Sequence, residues 1–324
     1  MDYTTLGKTG LRVSVAGLGC GGNSRLGMGA GKTMEDAAQV VRKAIDLGVN
    51  YFDTARNYGT EPAVGAAIKD VSRDSVVIST KSTIKVDGER LTAEQIVDHL
   101  DNSLKLLDTD YVDVYMLHGV APVDYDYALE TLAEPLLKER DKGKFRHLGI
   151  TETAPRDPTQ EMLQRAVQEP CWEVAMLAYH MMSQNARNKV FPQTLEKGVG
   201  TLLMFVVRNI FSVPGLLEHT VADLIKNGDL PADMPNPNDP LGFLVHEGGA
   251  STIQDAAYRF ARHQPGADVV LFGTGNPDHL QSNIDSILKP PLPDADVATL
   301  HAMFGALIGV GLDSPDNMPG PKQT

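Results

Sequence analysis

The sequence predicts an α/β protein in which eight parallel strands alternate with helices and close into a (β/α)8 TIM barrel. Apolar, strand-like runs recur eight times, and amphipathic stretches with helical spacing lie between them. Such alternation gives a parallel sheet with right-handed crossovers, and eight units are the number that closes a barrel. With 324 residues, 42% of them hydrophobic, the chain is also long enough for one large domain of this kind.

The order of the elements follows from the spacing of the apolar residues. The predicted strands occupy 13–18, 49–53, 75–80, 111–117, 146–151, 173–179, 199–207 and 268–273. The predicted helices occupy 34–47, 61–69, 92–107, 127–142, 158–168, 187–197 and 252–263. Thr33 precedes the first helix, and two later helix starts have the spacing of a capping box, namely Thr92 with Gln95 and Ser251 with Gln254.

Three segments lie outside the repeating units. Residues 3–14 alternate around a Gly-rich turn at 7–10, which predicts an N-terminal β-hairpin that caps one end of the barrel. Residues 208–249 are irregular and rich in Pro, Asn and Asp, which predicts a long loop after strand 7, on the face where barrel active sites lie. The polar, Pro-rich residues 313–324 predict a flexible tail, so the barrel domain is expected to span 1–312.

Composition and charge exclude several classes of protein. The chain has 29 Lys and Arg against 42 Asp and Glu, a net charge of −13, which argues against binding to nucleic acid or to an anionic membrane. The two cysteines, Cys20 and Cys171, fit neither a disulfide framework nor a zinc site and predict a reducing, cytoplasmic location. No signal sequence or bilayer-long apolar run is found. We therefore expect a small-molecule partner and no metal, while the oligomeric state stays open, a monomer included.

Two glycine-rich stretches resemble nucleotide-binding motifs. Residues 17–22 match the Gly-x-Gly-x-x-Gly fingerprint directly after a strand. That fingerprint needs a helix to begin at the glycines, whereas here the helix begins near Thr33, so an open-sheet dinucleotide domain is disfavoured. Residues 27–33 resemble a phosphate loop, but its spacing requires glycine at the position of Leu26, and this interpretation is discarded.

Three of the predicted strands end in side chains that transfer or stabilise protons. Asp53 ends the second strand, and Tyr58 follows it closely. Lys81 ends the third strand, and His118 follows the fourth. Because the carboxyl ends of barrel strands meet at one face, we expect these side chains to lie together. Taken singly, each also has a structural interpretation, as a helix cap, a core ring, a surface amine or a hydrogen-bonded histidine.

This combination of groups suits proton transfer. A lysine ammonium beside a phenol stabilises the phenolate, so we expect Lys81 to lower the pKa of Tyr58. Asp53 is expected to orient Lys81 and to keep it charged. Tyr58 then becomes a usable proton donor.

The motifs around these residues resemble those of the aldo-keto reductase family. The resemblance covers nearly the whole chain and is carried by the segments at 6–14, 52–59, 79–81, 117–118, 149–151 and 273–280. It implies a (β/α)8 barrel that binds NADP(H), or NAD(H), in extended form and needs no metal. It also implies that Tyr58 is the general acid or base, tuned by Lys81 and Asp53. His118 is then expected to orient the substrate oxygen.

The resemblance further implies a cofactor site at the ends of the later strands. Asn276 and Pro277 form a good helix start, whose free N–H groups are expected to receive phosphate. Arg208 is either a pyrophosphate ligand or an exposed structural residue. The other assigned contacts are Thr151, Glu152, Met176, Met204 and Phe205 for the nicotinamide, Gly273, Thr274, His279 and Asn283 for the adenosine phosphate, and Gly22 and Gly275 without a more detailed role.

Several of these positions depart from the family pattern. Members that prefer NADP often carry a lysine and an arginine where this chain has Gly273 and His279, so NAD use is open. The asparagine, glutamine and aromatic residue that usually contact the nicotinamide correspond here to Glu152, Met176 and Met204. The details of the nicotinamide contacts are therefore left open.

The sequence leaves more than one activity possible. The same four residues serve the reduction of an aldehyde or ketone and the oxidation of a sugar hemiacetal to its lactone. A Schiff-base lyase would use Lys81 as nucleophile, but a lysine paired with Asp53 should stay protonated and react poorly. A non-enzymatic nucleotide sensor or channel-type subunit is a further alternative.

Overall fold

Residues 1–313 are described by a computed structural model, and they form the closed parallel barrel that the sequence predicts. The barrel strands are β1 (Ala16–Gly19), β2 (Tyr51–Asp53), β3 (Val77–Thr83), β4 (Val112–Val120), β5 (Phe145–Glu152), β6 (Val174–Ala178), β7 (Gly200–Met204) and β8 (Val269–Phe272). They pair in chain order, and β8 pairs with β1 to close the barrel. The predicted tail at 313–324 lies outside the described residues, apart from Asp313.

Helices surround the barrel. The eight that follow its strands are α1 (Met34–Asp46), α2 (Glu61–Ile68), α3 (Ala93–Leu107), α4 (Glu134–Asp141), α5 (Glu161–Ala166), α6 (Phe191–Lys197), α7 (Ile253–Arg262) and α8 (Asp278–Leu288). Further helical segments are Tyr125–Tyr127, Ala128–Ala133, Ala186–Lys189, Asn209–Ser212, Leu216–Asn227 and Asp294–Phe304. Among the helices at 1–313, none is both long and apolar enough to span a bilayer.

The N-terminal hairpin closes the amino-terminal end of the barrel, as predicted. Its strands Tyr3–Thr5 and Arg12–Ser14 pair antiparallel. Leu6 and Leu11 are buried against side chains inside the barrel. The N–H of Lys8 donates to the carbonyl oxygen of Gly198, just before β7. The hairpin thus fills one end of the barrel and leaves the carboxyl ends of the strands as the place for a site.

Alternation along the strands decides which side chains reach that site. In β2, Tyr51 packs inside the barrel and Phe52 packs outward against the helices. Because successive strand residues face opposite sides, Asp53 faces inward again. In β3, Val77 packs inside, so Lys81, four residues later, also faces inward. Both strands therefore deliver a charged side chain to the same mouth.

The segment 208–249, predicted as an irregular loop, contains a regular helix at Leu216–Asn227. Leu217 and Val221 are its buried residues, and their spacing of four puts them on one helix face. The prediction of an irregular loop is therefore wrong for these twelve residues. The Pro, Asn and Asp residues that follow this helix are so abundant that its short amphipathic pattern was not recognised in the sequence.

Element boundaries also differ in places. β7 ends at Met204, before the predicted 207. α7 is capped by Thr252, whose Oγ1 accepts the N–H of Asp255 at 3.1 Å, one residue later than the predicted Ser251–Gln254 pair. The Ser251 N–H instead donates to the Asp255 carboxylate at 2.9 Å. The capping box of Thr92 and Gln95 in front of α3 is confirmed.

Candidate active site

A buried ion pair between Asp53 and Lys81 lies at the carboxyl-terminal mouth of the barrel. Lys81 Nζ donates to the two carboxylate oxygens of Asp53, at 2.8 and 2.7 Å, and to the carbonyl oxygen of Thr54 at 2.8 Å. Ser79 Oγ donates to Asp53 Oδ1 at 2.7 Å. Lys81 is 0% and Asp53 4% exposed, so each charge depends on the other for stabilisation.

Tyr58 lies next to this pair, on the short 3-10 turn Arg56–Tyr58 that follows β2. Its hydroxyl is 3.4 Å from Nε2 of His118, and the two rings meet edge to face with their centres 5.6 Å apart. Lys81 Nζ is 4.9 Å from the centre of the Tyr58 ring. The structure thus brings together all four side chains, Asp53, Tyr58, Lys81 and His118, which we call the tetrad.

Burial and charge act in opposite directions on the pKa values of Lys81 and Tyr58. Burial is the largest single influence and disfavours the ammonium, but Asp53 and Tyr58 together outweigh it and raise the pKa of Lys81. Burial of the Tyr58 hydroxyl outweighs the Lys81 charge and raises the pKa of the phenol, although the ring is partly open to solvent. The expectation of a lowered pKa for Tyr58 is therefore wrong for the net shift, and right only for the contribution of Lys81.

His118 is a neutral imidazole at pH 7. Burial, with the Lys81 charge as a second cause, lowers its pKa to about 3. Its Nδ1 is buried and has no hydrogen-bond partner among residues 1–313. The next residue, Gly119, has a left-handed φ of 64° and donates its N–H to Thr151 Oγ1 at 2.7 Å. This bond fixes the backbone that carries the imidazole.

A cleft of about 410 Å³ reaches the first turns of α8, and we call it the candidate cofactor cleft. The four tetrad side chains do not line it but lie next to one end. The cleft begins at Gly21, beside the Tyr58 ring. The residues assigned to the cofactor that line it are Gly22, Phe205, Arg208, Gly273, Thr274, His279 and Asn283. Residues from three separate parts of the chain thus meet in one cleft.

The other assigned residues lie outside the lining of this cleft. Met176 and Met204 belong to the apolar cluster inside the barrel. Thr151 is 1% exposed, and its hydroxyl accepts the Gly119 N–H described above. The carbonyl oxygen of Gly275 accepts a hydrogen bond from Lys32 Nζ at 2.7 Å. Their contacts with a cofactor stay predictions.

Glu152 is a buried carboxyl group in the wall between β5 and β6. Its Oε1 accepts the N–H of Ala178 at 2.6 Å and Nε2 of Gln160 at 3.2 Å. Burial raises its pKa to about 8 in spite of these two bonds. Its Oε2 has no partner among residues 1–313. Glu152 ties the two strand ends together, and its contact with a nicotinamide also stays a prediction.

Arg208 lies in the cleft between Phe205 and the C-terminal end of the described chain. Its guanidinium carbon is 3.9 Å from the centre of the Phe205 ring, and Phe205 has a left-handed φ of 68°. Nη2 donates to the carbonyl oxygen of Asp313, and Nε is 3.9 Å from Asp313 Oδ2. Leu312 packs in the same apolar cluster as Phe205. Arg208 is therefore mostly enclosed rather than an exposed surface residue.

The start of α8 differs from the prediction of free N–H groups. Asn276 Oδ1 accepts the N–H of Asp278 at 3.1 Å. The N–H of His279 donates to the carbonyl oxygen of Asn276 at 3.1 Å, and that of Leu280 to Pro277 at 3.3 Å. Because these groups already have partners, phosphate binding here would depend on side chains or on rearrangement of this turn.

The cleft also contains residues that the sequence reasoning missed: Gly21, Asn23, Ser24, Val206, Val207, Ser212, Tyr258, Leu271 and Phe272. Ser24 Oγ is buried with no partner among the described residues, and Gly22 has open space where a side chain would be. A buried hydroxyl without a partner, and a part of the wall formed by glycine, fit a bulky polar ligand such as a nicotinamide dinucleotide. Residues 1–313 contain no group of His, Cys, Asp and Glu arranged to hold a metal ion.

Comparison with known proteins shows the family to which the chain belongs. The model of the Aldo/keto reductase family matches residues 17–304, and the chain therefore belongs to that family. Aldo-keto reductase YhdN of Bacillus subtilis (strain 168) is 28% identical over 301 residues, which are 87% of each protein. L-galactose dehydrogenase of Arabidopsis thaliana is 31% identical over 208 residues, 62% of this chain and 64% of the plant protein.

A solved structure supports the fold. The holo form of aldo-keto reductase AKR11C1 from Bacillus halodurans superimposes with a TM-score of 0.73 at 21% identity, covering 97% of this chain and 100% of the other. The protein is an enzyme, an oxidoreductase of the aldo-keto reductase type that transfers hydride reversibly between a nicotinamide cofactor and a carbonyl carbon. The alternative of a non-enzymatic sensor or channel-type subunit finds no support among these relatives.

Proposed function

We propose that Tyr58 is the general acid that protonates the oxygen of an aldehyde or ketone, and the general base in the reverse reaction. The observation that carries this proposal is the position of its hydroxyl, 3.4 Å from Nε2 of His118 and beside the ion pair of Lys81. A carbonyl oxygen held between the hydroxyl and the imidazole accepts a hydrogen bond from each. Tyr58 keeps its proton at neutral pH until charge develops on that oxygen.

Lys81 stabilises the phenolate that remains after the proton has moved. Its ammonium stays charged because Asp53 accepts from it through both carboxylate oxygens. The same bonds argue against a Schiff-base lyase, since a buried, paired ammonium is a poor nucleophile. Borohydride trapping with substrate is expected to leave Lys81 unmodified.

The candidate cofactor cleft would hold NADP(H) or NAD(H), which when bound supplies or accepts the hydride. Gly22 and Phe205 would lie along its nicotinamide half. Arg208 would meet the pyrophosphate, and His279 with Asn283 would meet the adenosine ribose. Because Gly273 and His279 replace the two cations common in NADP-preferring members, we propose that the enzyme accepts NAD(H) as well as NADP(H).

Titration of the purified protein with NADPH and NADH over a range of salt tests both parts of this proposal. Cofactor fluorescence or calorimetry is the suitable signal, because Trp172 is buried next to the amino-terminal end of β6, away from the cleft. Tighter NADPH binding that weakens steeply with salt would show that a positive charge in the cleft meets the 2′-phosphate. Equal or tighter NADH binding supports an NAD-linked enzyme, and binding of neither would contradict the proposal.

Oxidation of a sugar hemiacetal to its lactone is a second candidate activity. The similarity to a protein named L-galactose dehydrogenase favours it, although that similarity spans 62% of this chain. Initial rates with L-galactose and other aldoses plus NAD+ or NADP+, set against rates with glyceraldehyde and 4-nitrobenzaldehyde plus NADH or NADPH, distinguish the two directions. Lactone formation with no aldehyde reduction would make the dehydrogenase the main activity.

We also propose a cytoplasmic location and one barrel domain at 1–312. The free thiols of Cys20 and Cys171 support a reducing compartment. Cell fractionation tests the location, and limited proteolysis followed by mass spectrometry tests the domain limit. Recovery in an exported or membrane fraction, or early cleavage inside the barrel, would contradict these two proposals.

A further inference from the structure

The glycine-rich stretch at 17–22 has no phosphate-binding helix behind it, so its glycines need another explanation. Gly17 packs inside the barrel, where an added Cβ would be 2.7 Å from a methyl group of Val269. Gly21 is different, because the atoms next to it belong to the tetrad. A Cβ on Gly21 would be 2.3, 2.5 and 2.7 Å from Cε2, Cζ and Cδ2 of Tyr58.

We propose that Gly21 is a positioning residue for Tyr58: its missing side chain provides the space in which the phenol ring must lie. This inference rests on the proposed role of Tyr58 as general acid and base. Carbon atoms in ordinary contact are about 3.5 Å apart, so a methyl group here displaces the ring by about 1 Å. The hydroxyl is already 3.4 Å from His118 Nε2, and the displacement changes this distance directly.

The backbone around Gly21 is fixed more firmly than the ring. The N–H of Cys20 donates to the carbonyl oxygen of Asp53 at 2.8 Å, which ties the loop to the end of β2. The carbonyl oxygen of Gly21 accepts the N–H of Arg25 at 3.3 Å. The Tyr58 ring, by contrast, is partly exposed at the mouth. A methyl group on residue 21 therefore moves the ring and leaves the barrel in place.

Gly21 also has an ordinary backbone conformation, since its φ is not in the left-handed region. Alanine is accepted there without backbone strain. Gly21 lines the candidate cofactor cleft, but the three atoms nearest to an added Cβ all belong to the Tyr58 ring, so the substitution acts mainly on the space next to that ring. Gly19 provides a matched control two residues earlier. Its φ is likewise ordinary, and an added Cβ would be 3.5 Å from the carbonyl oxygen of Phe272, which is normal contact.

The experiment compares Gly21→Ala with Gly19→Ala in steady-state kinetics, using the aldehyde that the wild-type protein reduces fastest. We expect Gly21→Ala to lower kcat about 100-fold, because a misplacement of about 1 Å at a reacting group has an effect of this size. Its Kd for NADPH should stay within about threefold of the wild-type value. Its Tm should stay within a few degrees of the wild-type value. Gly19→Ala should keep kcat within about twofold.

A double-mutant cycle with Tyr58→Ala shows whether Gly21 acts through the ring. When the ring is absent, Gly21→Ala should no longer change the residual rate or the Tm. If Gly21→Ala alone fails to fold, Gly21→Ala with Tyr58→Ala must fold like Tyr58→Ala, and failure to do so would overturn the proposal. A kcat within threefold of wild type, or an equal loss of NADPH affinity in both backgrounds, would also overturn it.

Tyr58→Phe separates this inference from the proposed function. If Tyr58→Phe keeps full activity, the role of Tyr58 is wrong and the effect of Gly21 loses its basis. If Tyr58→Phe is inactive while Gly21→Ala stays active, only the positioning role of Gly21 is rejected.

Discussion

Two parts of the proposed site are built from different parts of the fold. One is the tetrad, which we call the catalytic end, and the other is the part of the candidate cofactor cleft proposed to hold the adenosine, which we call the adenosine end. At the catalytic end, Asp53 and Lys81 come from barrel strands, are almost fully buried and pair with each other inside the chain. At the adenosine end, Gly273 and His279 are exposed and lie in the turn before α8 and in its first turn. The tetrad is therefore in place before a ligand arrives, whereas the proposed cofactor preference would depend on surface side chains that can change without disturbing the core.

The largest expected effect comes from removing the Tyr58 hydroxyl, which is proposed to supply the proton at the catalytic end. Tyr58→Phe should lower kcat by about 10³-fold or more, because general acid–base catalysis contributes about 10²–10⁴-fold. The Kd for NADPH should stay within about threefold, since the substitution leaves the ring in place. Stopped-flow measurement of a single turnover, together with the titration described above, gives both numbers.

Tyr111→Phe is the matched control for this substitution. Tyr111 lies directly before β4, at the amino-terminal end of the barrel and so at the end opposite the tetrad. Its hydroxyl donates to the Asp74 carboxylate. The control variant should keep kcat near the wild-type value. Equal activity in Tyr58→Phe and wild type would remove the basis for the assigned chemistry.

The next largest effect concerns the ion pair. Lys81→Met leaves the Asp53 carboxylate buried without its partner, which should lower the free energy of unfolding by about 3–5 kcal/mol. We expect kcat to fall about 10²-fold as well, because the phenolate loses its stabilising charge. Lys138→Met, which breaks the exposed pair with Glu134, should change stability by less than about 0.5 kcal/mol.

Urea unfolding at pH 7 measures both stability changes. Equal stability of Lys81→Met and wild type would mean that Asp53 becomes protonated at little cost. The ion pair would then contribute less to the free energy of unfolding than its geometry indicates.

The two ends also differ in how far the sequence predicts them. Strand residues alternate with a period of two, so the motif residues Asp53 and Lys81 could be assigned to the inner face of one mouth without a structure. The cofactor cleft is formed by loops, where no such period exists. Ser24 and Tyr258 gave no signal because they come from a turn and from a distant helix. Glu152, assigned by resemblance alone, accepts a hydrogen bond from Ala178 in the wall, and its contact with a nicotinamide stays a prediction.

At the adenosine end, adding a charge should improve one cofactor selectively. Gly273→Lys is expected to tighten NADPH binding about tenfold, equal to about 1.4 kcal/mol, by meeting the 2′-phosphate. A side chain fits there, because an added Cβ would be 3.5 Å from the carbonyl oxygen of Gly19. NADH binding should not change, and the NADPH affinity should depend more steeply on salt.

Gly273→Ala is the control that adds the Cβ without the charge, and it should leave both affinities unchanged. Equal tightening of NADH and NADPH by Gly273→Lys would show that the lysine acts elsewhere than on the 2′-phosphate.

A smaller effect is expected at Arg208, which is proposed to lie between the catalytic end and the adenosine end. Asp313→Asn removes the carboxylate near Arg208 but keeps the backbone carbonyl that accepts from its guanidinium. The freed charge should tighten NADPH binding about two- to fivefold, in keeping with a partly exposed ion pair worth up to about 1 kcal/mol. Asp233→Asn, the same change at an exposed position, is the control. Weaker binding in Asp313→Asn would mean that Asp313 positions Arg208 rather than competing for it.

The smallest effect is expected for pH at the catalytic end. Because the pKa of His118 is lowered to about 3, the imidazole has already lost its proton well below pH 5 and stays neutral as the pH rises. Tyr58, whose pKa is raised above its ordinary value near 10, keeps its proton through the same range. In reduction, kcat should therefore vary less than about twofold between pH 5.5 and 7, below the range in which Glu152 titrates, with no acid limb near 6.5. Tyr58 should give no alkaline limb below about 10. His118→Gln should lower the rate without changing the shape of this profile. An acid limb near 6.5 that disappears in His118→Gln would show that the imidazole titrates during turnover, and that the catalytic end is less sealed from solvent than its buried ion pair indicates.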